Sequence, residues 1–148
     1  MTSAGALHTA DPVAALLSWL RGHTGVTAAF GDASHISGRN EPPYPRLLIA
    51  PSAGGDDQGL IWTLIGEVAV STLGAPDGTP GQAELRRLHY TALAAAAELP
   101  RSAFAAGDPV VSAVRPSTAA RFAPEPITGQ PAWRSTLLLT MHPAAVVP

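Results

Sequence analysis

The chain has 148 residues, 46% of them apolar and 14% charged, with a formal net charge of -2. It contains no lysine and no cysteine, which excludes Schiff-base and phosphate-loop lysines, disulfides, zinc ribbons and thiol catalysis. The length predicts one domain that buries roughly 68–70% of its unfolded surface.

The low charge also bears on partners. A solvated monomer usually has about a quarter of its residues charged, so 14% indicates that neighbouring molecules cover part of the exterior. The arginines are scattered and form no basic stripe for a polyanion. No apolar run approaches the roughly 20 residues of a membrane helix, and we expect no membrane partner.

The first predicted elements are an arm and a helix. Residues 1–10 are small and polar and predict a flexible N-terminal arm. Asp11 and Pro12 fit the N-cap and the first position of a helix. The helix ends at Gly22 and carries an apolar stripe formed by Val13, Leu16, Leu17 and Leu20. The following residues 26–41 are ambiguous, with a short strand near Ser34–Ser37.

A hairpin is predicted next, after the Pro-rich residues 41–45. The unbroken apolar run in Arg46–Ala50 predicts a strand buried on both faces. Leu60–Leu73 alternates as a second strand, in which Gly66 indicates a bulge or a bend. Ser52–Gly59 would form the long, mobile tip between them.

A second helix is predicted over Pro80–Leu99, with Thr79 as N-cap and Gln82 completing a capping box. Its Ala-rich apolar face would lie close against a sheet. Arg86 and its neighbour Arg87 would lie on the solvated side, with no aromatic residues paired to them as a nucleic-acid platform requires.

The C-terminal third predicts two strands and a loop. Asp108–Arg115 predicts a strand, and Pro116–Pro131 predicts a long Pro-rich loop. The alternating residues of Trp133–His142 predict a half-buried strand. Residues 143–148 would be a tail. Together the elements predict an α+β fold: one domain over residues 11–142, with a mostly antiparallel sheet, two helices and long loops.

No reactive centre is apparent in the sequence. The five histidines show no metal-binding spacing, and a short polar loop explains Asp32 and His35 better than a metal site. Asp56 and Asp57 fit a turn, because two adjacent aspartates make a poor cation cage. Hydrolase and nucleotide-binding motifs are absent from the sequence. We therefore expect no enzyme activity and no cofactor.

The order of elements resembles a known family. A Pro-capped helix at Asp11–Arg21 precedes Pro42-Pro43-Tyr44-Pro45-Arg46-Leu47-Leu48-Ile49. Ile127-Thr128-Gly129-Gln130-Pro131-Ala132-Trp133-Arg134 then leads into the last strand. This organisation is similar to that of the tail terminator (tail completion) proteins of long-tailed bacteriophages and related head–tail joining proteins.

The resemblance implies a twisted sheet with helices packed on it, and a subunit that forms a hexameric ring. Such a ring caps the head-proximal end of the tail tube and joins it to the head–tail connector or stopper. Its partners would be its own copies, the major tail tube protein and the connector. DNA would pass through the lumen without sequence-specific binding, and the protein would reside in the virion after assembly in the host cytoplasm.

A ring needs heterologous contacts, in which one patch meets a different patch on the next subunit. The hairpin tip and the Pro-rich loop are too long and too rich in Pro and Gly to serve the monomer core alone. The residues expected to make contacts are Asp56, Asp57, Trp62, Trp133 and Arg134. The two tryptophans have an alternative role of equal weight, which is to close the ends of the core.

Three alternatives stay open, one of which is an accessory subunit of a phage-like contractile or gene-transfer particle, which differs from the terminator only in genomic context. A neck stopper or head–tail adaptor has a similar organisation. A small α+β enzyme or ligand-binding domain is a different class, and it would use Asp32, His35 and His89.

Overall fold

The computed structural model describes residues 4–58, 63–105 and 107–143. Within these ranges it contains three α-helices, which are α1 (Pro12–Gly22), α2 (Thr24–Phe30) and α3 (Gln82–Ala97). Its strands are β1 (Ile36–Ser37), β2 (Arg46–Gln58), β3 (Leu64–Leu73), β4 (Val110–Phe122) and β5 (Ala132–His142). Short 3-10 helices occupy Ala4–Thr9, Ala33–His35 and Leu99–Arg101.

The strands described form one sheet in the order β1-β2-β3-β5-β4. β1 runs parallel to β2, and the other neighbouring strands are antiparallel. The predicted α+β fold with a mostly antiparallel sheet is therefore confirmed. The described residues form three α-helices where the sequence predicted two.

Helix α1 begins as its sequence predicts. The Asp11 carboxylate accepts a hydrogen bond from the Ala14 amide at 3.1 Å, and Pro12 occupies the first turn. Leu16 and Leu20 are fully buried. The indole of Trp19 donates to the Ala95 carbonyl at 2.7 Å, which ties α1 to α3.

Helix α2 is the additional helix, in the segment whose sequence was ambiguous. It has seven residues, too few for a repeated apolar stripe. Its N-cap is His23, whose ring nitrogen accepts from the Val26 amide at 3.2 Å. Val26 and Phe30 fix the helix to the core.

The predicted N-terminal arm contains the 3-10 helix Ala4–Thr9. Ala10, which follows it, is 3% exposed. The last residue of that segment therefore belongs to the core, and residues 1–3 lie outside the described part of the chain.

The predicted hairpin tip is wrong for Ser52–Gln58, because these residues continue β2. Pro51 pairs with Val68, and Asp56 pairs with Gly66. The intervening residues of β2 form a bulge, because β3 has only one residue between the two pairs. The irregularity expected at Gly66 is therefore in the opposite strand, and Gly59 lies outside the described residues.

Two further boundaries differ from the prediction. β4 continues to Phe122 through Pro116, so the connection to β5 is much shorter than the predicted loop Pro116–Pro131. β4 is an edge strand, where proline is tolerated because no ladder hydrogen bond is lost. Helix α3 begins at Gln82 with Gly81 as its N-cap and no side-chain cap, and Thr79 instead bonds to Asp77.

The helices pack on one face of the sheet. Leu47 and Ile49 are buried on this face of β2, whereas Leu48 and Ala50 of the other face are half-buried, so β2 is not buried on both faces as predicted. The alternation predicted for β5 is confirmed, with Ser135, Leu137, Leu139 and Met141 buried and Thr136, Leu138 and Thr140 half-buried. On that second face, the β5 residues from Arg134 to His142 are half-buried or exposed, and none is fully buried.

Candidate functional site

The register defines two opposite ends of the sheet. Trp133 of β5 pairs with Thr72 and Phe122, which marks the first end. Met141 pairs with Leu64 and Val111, which marks the second end. β5 has 11 residues, and at about 3.3 Å per residue the two ends are roughly 30 Å apart.

An exposed cluster of aromatic and cationic side chains lies at the first end. We call Arg86, Tyr90, Phe122 and Trp133 the aromatic–arginine surface. The Arg86 guanidinium carbon lies 4.7 Å from the Tyr90 ring centre and 5.6 Å from that of Trp133. The Phe122 and Trp133 ring centres are 6.1 Å apart. Tyr90 is 44% exposed and Phe122 38%, so the cluster is open to a partner.

Trp133 is anchored within this surface. Its indole donates to the Gln82 carbonyl at 3.1 Å, which connects the start of β5 to the start of α3. The ring is half-buried. Trp133 thus closes the end of the core and also presents part of its ring to solvent, so both roles considered for it from the sequence are compatible with its position.

The two neighbouring arginines of α3 differ in their partners. Arg87 donates two hydrogen bonds to the Glu84 carboxylate, at 2.9 and 2.6 Å, and these bonds lower the pKa of Glu84. Arg86 has no carboxylate partner in the described part of the chain and stacks on the two rings instead. An open depression of about 590 Å³ runs beside it, lined by Ala83, Tyr90 and Ala94 among others.

The prediction that no aromatic residue pairs with these arginines is wrong for Arg86. A signal for the Tyr90 contact was present, because Arg86 and Tyr90 have the i, i+4 spacing that brings helix side chains together. The Trp133 contact had no such local signal, since α3 and β5 are distant in sequence.

Arg134 faces away from the aromatic–arginine surface, because neighbouring strand residues alternate between faces. Its guanidinium donates to the Ala123 carbonyl at 2.9 Å, the Ser71 hydroxyl at 3.1 Å and the Glu125 carboxylate at 3.2 Å. The predicted contact residue Arg134 therefore fixes the β4–β5 connection within its own chain.

A buried glutamine holds the same connection from the inside. Gln130 is 1% exposed, donates to the Gly74 carbonyl at 3.0 Å and accepts from Asn40 at 2.9 Å and Thr128 at 2.7 Å. The turn closes with the Gly129 amide bonded to the Glu125 carbonyl at 2.8 Å. This rigid turn carries Ile127, which is 92% exposed.

The other predicted contact residues lie elsewhere. Asp56 is exposed on β2 at the second end of the sheet. Asp57 pairs there with Ile65 through the backbone, and its side chain is not among those described. Trp62 lies outside the described residues. The structure therefore brings Trp133 and Arg134 to one end of the sheet and places Asp56 at the other.

A cavity of about 430 Å³ opens at the second end, and sequence reasoning did not anticipate it. Its apolar walls include Ala15 and Trp19 of α1, Phe104, Val111 and Met141. Asp11, Ser18 and Asp108 contribute polar groups to the lining, and all three are exposed. We call this cavity the second-end pocket.

A buried polar network lies between α3 and the sheet. His89 is fully buried, with one ring nitrogen 2.9 Å from the Thr72 hydroxyl and the other 2.8 Å from the Ser135 hydroxyl. Burial lowers the pKa of His89 to about 4, so the ring is neutral at pH 7. Ser135 is 3% exposed, and this serine–histidine pair is closed to a substrate.

The residues of the ligand-binding alternative are dispersed. Asp32 accepts from the amide and the hydroxyl of Ser34, and these bonds lower its pKa. The His35 ring bonds to the Pro45 carbonyl at 2.7 Å, whereas His89 bonds to Thr72 and Ser135. Within the described ranges, no three His, Asp or Glu side chains converge as metal ligands.

Comparison with known proteins does not assign the chain. No protein-family model matches it, and no curated protein matches it. Among the described helices, none is both long and apolar enough to cross a membrane.

Proposed function

We propose that this protein is a structural virion protein, a tail terminator that assembles into a hexameric ring. The ring caps the head-proximal end of the tail tube and joins it to the head–tail connector. It resides in the tail or neck of the virion and assembles in the host cytoplasm. The family resemblance and the distribution of contact-capable surfaces support this proposal.

The separation of unlike surfaces carries the argument. The first end presents exposed aromatic rings and Arg86, which has no carboxylate partner among the described residues, and the second end presents Asp56 and a pocket with apolar walls. Surfaces that differ at opposite ends favour head-to-tail contacts over a two-fold dimer, which would use one patch twice. Head-to-tail contacts close into a ring when the rotation between subunits permits it.

The charge distribution is compatible with DNA transit. A strongly basic lumen would retain DNA, because phosphate contacts add up. The chain has a net charge of -2, and Arg46, Arg87 and Arg134 are bonded within the subunit. A ring of such subunits would let DNA pass without reading it.

Native mass spectrometry and electron microscopy test the proposal. We expect hexamers at high protein concentration or in the presence of purified tail tubes, and images with one ring at the head-proximal end of each tube. A protein that stays monomeric under both conditions would contradict the ring.

The neck stopper or head–tail adaptor is the nearest alternative. The same imaging separates the two functions by the position of the ring. A terminator binds tubes that lack capsids, whereas a stopper binds the connector of tailless capsids. Binding to capsids alone would favour the stopper.

The ligand-binding alternative has one observation in its favour, which is the second-end pocket. Its volume of about 430 Å³ lies in the range of small-molecule sites. However, Asp32, His35 and His89 are not among its lining residues. A thermal-shift screen with divalent metals and small metabolites tests this alternative, and reproducible stabilisation by one compound would favour it.

A further inference from the structure

The exposed residue Ile127 and the second-end pocket form a complementary pair on opposite ends of the subunit. Ile127 lies in the turn between β4 and β5, whereas Val111 and Met141, at the far ends of the same strands, line the pocket. The two features are therefore separated by the length of the sheet, roughly 30 Å. They cannot meet within one chain, but they can meet between two copies.

Ile127 has the properties of an anchor. It is 92% exposed, while its turn is fixed by the buried Gln130, by the bond from the Gly129 amide to the Glu125 carbonyl, and by Arg134 on Glu125. A side chain on a rigid turn loses little conformational freedom when it binds, so more of its burial contributes to affinity. A single exposed apolar residue is common, but Ile127 is exposed on a turn that hydrogen bonds hold in one conformation.

The pocket has the properties of an acceptor. Ala15, Trp19 and Phe104 give it apolar walls, and its volume of about 430 Å³ accommodates an isoleucine side chain with its flanking backbone. Asp11 and Asp108 also line it, so an apolar or cationic side chain is accepted and a carboxylate is repelled. Burial of one isoleucine side chain strengthens association by roughly 10- to 100-fold.

We propose that Ile127 of one copy inserts into the second-end pocket of the next copy, and that this contact repeats around the ring. The inference rests on the proposed function, since it names the contact between neighbouring subunits. A second copy is the occupant because head-to-tail closure requires an anchor and an acceptor at different places on the same subunit.

Cysteine cross-linking tests the contact directly, because the chain has no cysteine of its own. The double variant Ile127→Cys/Ser18→Cys introduces one thiol on the anchor turn and one at an exposed position of α1 in the pocket lining. The two positions are too far apart to form a disulfide within one chain. Mild oxidation is therefore expected to give a ladder of covalent oligomers that ends at the hexamer.

The matched control is Ile127→Cys/Ala97→Cys, which moves the second thiol to an exposed position of α3 outside the pocket lining. It is expected to give no ladder. Ile127→Cys/Ala103→Cys places the thiol on another exposed residue of the pocket lining and is expected to reproduce the ladder. The Ala103→Cys variant keeps the test decisive if Ser18→Cys perturbs α1.

Substitution of the anchor gives an independent measurement. Ile127→Asp is expected to weaken self-association at least tenfold, because it brings a carboxylate to a pocket lined by Asp11 and Asp108. Ile127→Arg should weaken it less, and Ala97→Asp should leave it unchanged. Equal effects of Asp and Arg at position 127 would overturn the assignment of this pocket as the acceptor.

The outcomes separate the inference from the proposed function. Hexamers of the unmodified protein with no ladder from either pocket variant would overturn the inference and leave the ring intact. A protein that is monomeric alone and with tail tubes would overturn both. A ladder together with hexamers supports both.

Discussion

The ring of Pro12 lies directly against the backbone of Gly66. A β-carbon at Gly66 would stand 2.2 Å from Pro12 Cγ and 2.8 Å from the Asp56 carboxylate. Only a residue without a side chain lets the start of α1 approach β3 this closely. The proline that begins α1 therefore requires a glycine at position 66 of β3.

Gly66→Ala is expected to destabilise the fold by about 1–3 kcal/mol, because the added methyl forces α1 away from the sheet. Urea denaturation followed by circular dichroism measures the change. The matched control is Gly22→Ala at the end of α1, where a β-carbon meets no atom within 4 Å. The control should be neutral or stabilising by up to about 1 kcal/mol; a similar loss in both variants would rule out the steric explanation.

Much of the fold followed from local chemistry. The sequence predicted Asp11 as the N-cap of α1 and Pro12 as a residue of its first turn, and the structure confirms both positions. The alternation of Trp133–His142 predicted which β5 residues are buried. Both signals are complete within a few residues of sequence, so no tertiary information was needed.

The errors arise where strand pairing or helix packing, and not local composition, decides the structure. Ser52–Gln58 has the composition of a turn, yet it continues β2 because β3 offers pairing partners beyond a bulge. Pro116 suggested a loop, but β4 is an edge strand and accommodates it. Helix α2 is too short to show a period. In each case the structure depends on strand pairing or packing that local composition does not reveal.

The candidate site was predictable in part. Trp133 was identified from its position at the start of a strand, and it does lie in an exposed cluster. Arg134 was assigned to contacts between subunits, but its hydrogen bonds lie within the chain. The second-end pocket had no sequence signal, because α1, Phe104, β4 and β5 meet there only after folding.

His89 makes the fold sensitive to acid. Burial lowers its pKa to about 4, against about 6.5 in the unfolded chain. Below pH 6.5 the unfolded state binds a proton that the folded state does not, so stability falls as the pH drops from 6.5 to 4. The expected loss is at most about 3 kcal/mol.

His89→Gln tests this sensitivity. Glutamine keeps a donor and an acceptor near Thr72 and Ser135 but does not titrate. The variant should be less stable than the unmodified protein at pH 7, and the difference in unfolding free energy should shrink as the pH approaches 4. A difference that is constant over this pH range would show that His89 is not the titrating group.

Arg46 is fully buried, and its guanidinium donates to the carbonyls of Ser34, Glu41 and Pro42 and to the Ser37 hydroxyl. Arg46→Lys keeps the charge but cannot reach all these acceptors. We expect a loss of about 3 kcal/mol, because hydrogen bonds to charged groups contribute about 1.5–3 kcal/mol each. Thermal unfolding measures it, and Arg21→Lys at an exposed position of α1 should change little; equal melting temperatures for the two variants would contradict the role of Arg46.

Substitution of Arg86 tests whether the aromatic–arginine surface contacts a neighbouring copy. Because Arg86 is exposed and has no carboxylate partner in the described part of the chain, Arg86→Glu should change the unfolding free energy by no more than about 1 kcal/mol. Its effect should appear in self-association, which we expect to weaken roughly tenfold as an attraction to acidic groups of the neighbouring copy becomes a repulsion. Native mass spectrometry over a concentration series gives the apparent dissociation constant.

Arg21→Glu, at an exposed position of α1, makes the same change in net charge and should leave association unaffected. If Asp56 of the next copy lies opposite Arg86, the double variant Arg86→Glu/Asp56→Arg should recover part of the lost affinity, because the reversed pair attracts again. Equal weakening by Arg86→Glu and Arg21→Glu would attribute the effect to net charge and exclude this surface as a specific contact.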